Sequence, residues 1–222
     1  MGVPLPARVE RDTTTHVAVR RGSRTLVGVG VAGHTYLEAP GDTRLWHGLR
    51  LSSPERTWCE LASILSLPDL VAAGDYLIHH VLPHTTISLL HDEVERWHAR
   101  RGYRLLLAAL HLLSERSESR KESLLRVIVT LGGIVGVVAN LRIVTASGFK
   151  FRGDLAIPTR KVIIEYQSNY HAVPAQFRKD MTRKSRLAAD GWLVIEVNTD
   201  DLDDPNELCA RIQTLISSRP HF

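Results

Sequence analysis

The spacing of apolar residues divides the chain into stretches of different character. Residues 1 to 50 contain the short runs THVAVRR, TLVGVGV and HTYLE, which are rich in β-branched residues and are interrupted by Gly and Asp-Thr turns. Such runs predict strands. From Ser53 onward apolar residues recur at intervals of three and four, which predicts helices. We therefore expect a small β-then-α subdomain in the first half.

Four helices are predicted after this β-rich stretch. The first begins at Pro54, with Ser53 as its N-cap. The second begins at Pro68 and runs through Leu77, the third lies within residues 85–99, and the fourth lies within 105–113. The polar run SERSESRKE follows, so we expect a domain boundary there, with domains at residues 1–115 and 116–222.

The second half alternates helices with strands. Ser119 followed by Glu122 is a capping-box pattern, which predicts a helix start. Strands are expected at 137–146, 149–158, 161–166 and 192–198, and further helices at 174–191 and 204–218. Three adjacent strands suggest an antiparallel meander, and a strand that returns through a helix can add in parallel. The predicted fold class is α/β (α+β).

The charge of the chain is concentrated in its second half. The 222 residues carry a net charge of +4 with a pI of about 9.3, and residues 140–190 hold ten Lys and Arg against four Asp and Glu. This distribution favours a polyanionic partner, although a solvated helix face explains a charge run equally well. Two cysteines cannot build a disulfide framework, and the N-terminus lacks the apolar core of a signal peptide. We expect a cytoplasmic protein with no membrane partner.

Two carboxylates stand in runs that otherwise suggest buried strands. Asp154 precedes Leu155, and Glu165 ends the run Val162–Ile164. If the two strands form a hairpin, both acids can converge on one end of the sheet, where a divalent cation would offset their repulsion. Oxygen ligands of this kind favour Mg²⁺. The alternative is a set of ion pairs, Asp154 with Arg152 or Arg142 and Glu165 with Lys161 or Lys150.

The order of motifs resembles the very-short-patch-repair-like endonuclease domain of the PD-(D/E)xK nuclease superfamily, over about residues 119–202. The matching residues are Glu122, Asp154 with Pro158, Glu165-Tyr166 with His171, Asp180 with Arg183 and Leu187, and Gly191-Trp192. The resemblance implies a restriction-endonuclease-like mixed sheet flanked by helices. It also implies a Mg²⁺-dependent DNA endonuclease, in which Mn²⁺ can substitute and Asp154 and Glu165 hold the metal.

The site departs from the superfamily at one position. The superfamily name predicts a lysine two residues after Glu165, where this chain has Gln167. Gln167 can orient a water or donate to a phosphate oxygen, but it cannot act as a cation. His171 can help in proton transfer, since imidazole titrates near neutral pH; otherwise it is an ordinary loop histidine. Glu122 either approaches the metal or only completes the cap of its helix.

The helix expected at 174–191 carries the candidate nucleic-acid-binding residues Arg178, Lys179, Arg183 and Lys184, which can follow a phosphate backbone. Asp180 either reaches the site or pairs with Lys184 at i,i+4. The alternative function is therefore a DNA-binding or antitoxin-like regulator on a catalytically weakened nuclease fold.

The first half resembles the C-terminal part of type IV abortive-infection antitoxins. The residues that carry this resemblance are Ser53-Pro54, Arg56-Thr57, Leu61-Ala62, Gly74-Asp75 and Leu77. Those proteins usually begin with a winged helix, which we expect to be missing from this chain. We expect Arg56 and Thr57 to hold the subdomain together. A toxin or other protein partner of this half is a third hypothesis.

Overall fold

The computed structural model describes residues 2–37, 39–167 and 174–221, except the side chains of 174–177. The chain forms two compact units. The first comprises Met1–Ile78 and Leu82–Leu113, and the second comprises His79–Val81 and Ser114–Phe222. Strands pair both in parallel and antiparallel in this fold, and helices accompany them, so the predicted mixed α/β class is confirmed.

The first unit begins with two small β-structures. After a short helix, α1 (Ala7–Glu10), strand β1 (Thr15–Arg20) pairs in parallel with β2 (Val31–Tyr36), and β3 (Thr43–Trp46) forms an antiparallel hairpin with β4 (Leu49–Ser52). The strand expected over TLVGVGV is wrong for all but its last residue, because β2 begins only at Val31. Parallel pairing of β1 with β2 has no local signal in the sequence.

Four helices build the core of the first unit: α2 (Pro54–Leu61), α3 (Leu67–Leu77), α4 (Ile87–Arg96) and α5 (Tyr103–Leu110). The side chains of Ser53, Ser66 and Thr86 accept a backbone N–H at the starts of α2, α3 and α4, as N-caps do. The indole of Trp58, fully buried, donates to the carbonyl of Leu70 at 2.8 Å. The helices therefore lie close to where the apolar periodicity predicts them.

Arg56 is the centre of a buried polar cluster in the first unit. Its guanidinium pairs with Asp42 and with Glu60, and lies over the rings of Tyr36 and Trp97. Arg56 and Asp42 are both almost fully buried. Removing one partner of such a pair leaves an uncompensated charge in the core, which is strongly destabilising. These contacts give Arg56 a structural role in this unit, as expected.

The second unit contains one four-stranded sheet. Helix α6 (Arg120–Leu131) precedes β5 (Val138–Val144), β6 (Lys150–Ile157) and β7 (Val162–Tyr166), with a single 3₁₀ turn at Pro158–Arg160. Then follow α7 (Pro174–Ala189), β8 (Leu193–Val197), α8 (Thr199–Asp203) and α9 (Pro205–Ser217). The strand order is β5-β6-β7-β8; the first three run antiparallel, and β8 runs parallel to β7.

Both faces of this sheet are covered by helices. Val162 and Ile164 belong to the larger core cluster, which includes Leu125 of α6 and Leu208 of α9. Ile163 points the other way, as alternation along a strand requires, and joins a smaller cluster with Leu187 of α7. Helix α7 is thus fixed to the sheet through Leu187. This contact decides which of its charged side chains meet the acids of β7.

Candidate functional site

Asp154 and Glu165 lie at the same end of the β6–β7 pair. Leu155 and Ile164 are partners in the antiparallel register, and each acid stands one residue beyond this pair. The backbone N–H of Tyr166 donates to Oδ2 of Asp154 at 3.0 Å, so the Asp154 side chain reaches across to β7. The hairpin therefore brings together the two carboxylates that the sequence singled out.

Gly153 allows the strands to approach closely beside Asp154. A Cβ atom at this position would lie 2.8 Å from Cγ2 of Ile163, closer than side-chain packing allows. Residue 153 must therefore lack a side chain for the local geometry to persist. The position of Asp154 therefore depends in part on the absence of a side chain at Gly153.

Glu122 approaches the same carboxylates from α6. Its backbone N–H donates to Oγ of Ser119, so Ser119 is the N-cap as predicted. The reciprocal half of the capping box is wrong, because Oε2 of Glu122 accepts from the backbone N–H of Glu118 at 3.2 Å. Burial raises the pKa of Glu122, and the negative charge of Asp154 raises that pKa further. Glu122 is thus within electrostatic range of Asp154.

Burial dominates the electrostatics of both strand carboxylates. It raises the pKa of Asp154, although the N–H of Tyr166 and the charges of Arg152 and Arg183 lower it. Glu165 is only 5% exposed, and burial raises its pKa to about 7 against the opposing effect of the Arg183 guanidinium. The negative charges of Asp154 and Glu196 add to this rise. Because burial disfavours the negative charge of both carboxylates, a proton or a bound cation that neutralises them would be stabilised at this site.

Arg183 of α7 is the ion-pair partner of Glu165. Its two terminal nitrogens donate to the two carboxylate oxygens, Nη2 to Oε2 at 2.9 Å and Nη1 to Oε1 at 3.3 Å. The guanidinium also lies 5.0 Å from the ring centre of Phe151. The alternative, an ion pair of Glu165 with Lys161 or Lys150, is therefore wrong about the partner, because the cation that pairs with Glu165 is Arg183. Arg183 precedes Leu187 by four residues, so the buried leucine directs the arginine toward the sheet.

The other ion pairs expected around the site also differ. Arg152 places both terminal nitrogens 2.6 Å from the carboxylate oxygens of Glu118, rather than pairing with Asp154. Lys184, which the i,i+4 spacing offered as one partner for Asp180, contacts Glu196 of β8 at 2.6 Å. Asp180 lies 3.8 Å from Nε of Arg183. The partners of Arg152 and Lys184 lie far from them in sequence, so local spacing could not reveal them, whereas Asp180 and Arg183 are three residues apart on α7.

Gln167 follows β7 directly. Its backbone N–H donates to the carbonyl of Val197 at 2.7 Å, which continues the β7–β8 pairing beyond the last registered residue. The side chain is half-buried. His171, the other residue expected to assist chemistry, lies outside the described residues.

An open cleft of about 680 Å³ lies along α7. Its lining contains an aromatic ring, one acid, one hydroxyl and four cations, namely Phe149, Asp180, Thr182, Arg178, Lys179, Arg183 and Arg186. Three of the four proposed phosphate-binding residues are among them. Lys184 is not, because it extends toward Glu196. The sequence analysis missed Arg186, although the i, i+4, i+7 spacing of Lys179, Arg183 and Arg186 could have revealed a common helix face.

The donor atoms at the sheet end suit a hard divalent cation. Asp154 and Glu165 offer carboxylate oxygens, which Mg²⁺ prefers. Among the described side chains, no group of three or more His, Cys, Asp and Glu is arranged to hold a metal ion. A metal here would thus be held by the two strand carboxylates with further oxygens from water or substrate, as is common for Mg²⁺.

Two uncharacterized proteins of Mycobacterium tuberculosis resemble the chain over most of its length. MT2308 of strain CDC 1551 / Oshkosh and Rv2248 of strain ATCC 25618 / H37Rv are each 30% identical to it over 212 residues, which covers 90% of this chain and 74% of each relative. The chain belongs to their family. No family model matches it, and neither does any solved structure.

In the described part of the chain, no helix has both the length and the apolar character needed to cross a bilayer.

Proposed function

We propose that the second unit is a metal-dependent DNA endonuclease that hydrolyses phosphodiester bonds. The observation that carries this proposal is the link between the buried carboxylates and the basic cleft. Arg183 both lines the cleft and holds Glu165, so a polyanion bound along α7 would lie next to Asp154 and Glu165. The motif order described above supports the same activity.

The cleft would bind the substrate backbone. Arg178, Lys179 and Arg186 present positive charge on the exposed side of α7, where they can neutralise successive phosphates. Thr182 adds a hydroxyl, and the ring of Phe149 offers an apolar surface to a base or sugar. These contacts read charge and shape rather than sequence.

Asp154 and Glu165 would hold Mg²⁺, for which Mn²⁺ can substitute. Such an ion, when bound, lowers the pKa of water and stabilises charge on the leaving oxygen. The chain itself supplies the orientation of both carboxylates through the β6–β7 register and the N–H of Tyr166. The Arg183 guanidinium supplies, from α7, positive charge beside Glu165 where Gln167 cannot. The carboxyl of Glu122, whose pKa is raised by burial and by the charge of Asp154, would exchange a proton near Asp154.

The proposal is tested by incubating the purified chain with supercoiled, linear, single-stranded and mismatched DNA, with Mg²⁺, Mn²⁺ or chelator. Asp154→Asn and Glu165→Gln keep the shape of each side chain and remove its charge. We expect metal-dependent cutting that both variants lose while their unfolding transitions stay cooperative. Cutting by Asp154→Asn at the wild-type rate would refute this site. We further propose a cytoplasmic setting, in repair or in defence against foreign DNA.

A second function is favoured by the state of Glu165. Both of its oxygens are engaged by Arg183, and Gln167 replaces the superfamily lysine. Both features suit a DNA-binding regulator that has kept the fold and lost the chemistry. This function predicts salt-sensitive DNA binding with no cutting under any metal. Metal-dependent cutting that Asp154→Asn abolishes would exclude it.

A further inference from the structure

Arg183 belongs to two sites at once. Its terminal nitrogens hold both oxygens of Glu165, while its side chain forms part of the cleft wall and keeps a quarter of its surface exposed. Its Nε is buried and makes no hydrogen bond, although it lies 3.8 Å from Oδ1 of Asp180. The contact with Glu165 therefore uses two of the five N–H donors of the guanidinium, and the side chain borders the space where a polyanion would lie.

The same contact conflicts with metal binding. Both oxygens of Glu165 accept from Arg183, so a divalent cation that takes Glu165 as a ligand would lie beside the positively charged guanidinium, and repulsion between the two charges opposes simultaneous binding. A phosphate offers the guanidinium an equivalent partner, because arginine binds phosphate and carboxylate with the same two-pronged geometry. Arg178, Lys179 and Arg186, which line the same cleft, would draw the phosphate to this position.

We propose that Arg183 is an exchangeable counter-ion that makes metal binding depend on nucleic acid. Without nucleic acid it neutralises Glu165. When a backbone phosphate binds in the cleft, Arg183 transfers to it, and Glu165 becomes available to a divalent cation. The inference rests on the proposed function, since it concerns the regulation of the same site. Under this exchange, the two carboxylates would take up a metal only once the substrate is bound.

The exchange has a thermodynamic consequence. If nucleic acid raises the affinity for the cation by some factor, the cation must raise the affinity for nucleic acid by the same factor. If instead Arg183 is a permanent part of the site, the two ligands bind independently or hinder each other. The two cases differ in equilibrium binding, so catalysis need not be measured to separate them.

The experiment measures both affinities under conditions that leave the DNA intact. Ca²⁺, which takes the same oxygen ligands as Mg²⁺, is titrated by calorimetry into the full chain alone and into the chain saturated with a short duplex oligonucleotide. Binding of the fluorescent duplex is measured with and without Ca²⁺, and a gel shows that the duplex remains uncut. We expect each ligand to raise the affinity for the other about tenfold.

Two variants separate exchange from simple charge loss. Arg183→Gln should bind Ca²⁺ more tightly than the wild type in the absence of DNA, and the coupling factor should fall close to one. Arg186→Gln is the matched control: it lies in the same cleft and stacks on Phe149, as Arg183 does on Phe151. It should weaken DNA binding and leave Ca²⁺ binding without DNA unchanged.

If Arg183→Gln does not fold, Arg183→Lys, which cannot form the two-pronged contact, should still reduce the coupling.

Wild-type protein that binds the two ligands independently would overturn the proposal, as would a folded Arg183→Gln variant with undiminished coupling. These failures differ from failure of the proposed nuclease. Coupling without any cutting in Mg²⁺ or Mn²⁺ would refute only the catalytic activity. Metal-dependent cutting without coupling would refute only the exchange.

Discussion

Arg183 donates to both carboxylate oxygens of Glu165, from α7 across to β7. The two residues are eighteen positions apart in sequence. The acid is almost fully buried, whereas the arginine keeps a quarter of its side-chain surface in contact with solvent. Because the Arg183 side chain is partly exposed, a polyanion in the cleft can reach it. Because the Glu165 carboxylate is buried, its negative charge depends on a counter-ion.

Arg183→Gln should lower the free energy of unfolding by about 3 kcal/mol near neutral pH, because the variant leaves Glu165 buried without its partner. The loss should shrink in mildly acidic buffer, where Glu165 takes up a proton. Urea denaturation at the two pH values measures it. Lys184→Gln breaks a pair in which both side chains are more than a third exposed, so it should change stability by less than about 1 kcal/mol. An equal loss in both variants would contradict a special role for the buried pair.

Glu165 should also shape the pH dependence of stability. Its pKa rises from an ordinary value of 4.5 to about 7 on folding, so the folded state binds the proton more tightly than the unfolded state. Stability contributed by this group is therefore present below pH 4.5 and is lost as the pH rises to about 7. Relative to Glu165→Gln, the wild type should lose up to about 3 kcal/mol over this window.

The measurement is a series of denaturation curves for both proteins between acidic and mildly alkaline pH. Glu165→Gln is the suitable comparison because its amide keeps the size of the side chain and cannot ionise. A constant difference between the two proteins across the window would show that Glu165 has an ordinary pKa.

Gly153→Ala should destabilise the second unit by about 1–3 kcal/mol, since the added methyl group would overlap Cγ2 of Ile163. The shift should also disturb Asp154 and so weaken cation binding. In an Ile163→Ala background the clash is absent, and Gly153→Ala should then cost much less. If Gly153→Ala lowered stability equally in the wild type and in Ile163→Ala, the strain would not arise from contact with Ile163.

The cations of α7 should differ in their contribution to DNA binding. Arg178→Gln, Lys179→Gln and Arg186→Gln should each weaken binding and reduce its salt dependence by about one counter-ion, because each removes a charge from the cleft. Lys184→Gln should have little effect, because Lys184 is paired with Glu196. Fluorescence anisotropy at several salt concentrations measures both quantities. A large effect of Lys184→Gln would show that the nucleic acid follows a different face of α7.

Much of the second unit was predicted from local signals. Ser119 caps α6, the connection at 158–160 is a tight turn, and Gly191 has the positive φ that suits a glycine after a helix. Element order suggested the antiparallel meander and allowed a parallel fourth strand, and the structure has both. The cap, the turn and the glycine each depend on a few adjacent residues, so the sequence states them directly. The convergence of Asp154 and Glu165 follows because a hairpin fixes which residues face each other.

The ionic partners depend on tertiary packing. Charge and spacing offered Glu165 two lysines, Lys161 and Lys150, and the structure gives it Arg183, because Leu187 turns that side of α7 onto the sheet. Lys184 meets Glu196 only because β8 adds in parallel beside β7. The first unit shows the same limit, since nothing local predicts that β1 pairs in parallel with β2. The sequence by itself determined the order of elements and the two strand carboxylates. The tertiary structure alone decided which cations meet them, because helix rotation and strand order are set by packing across the whole unit.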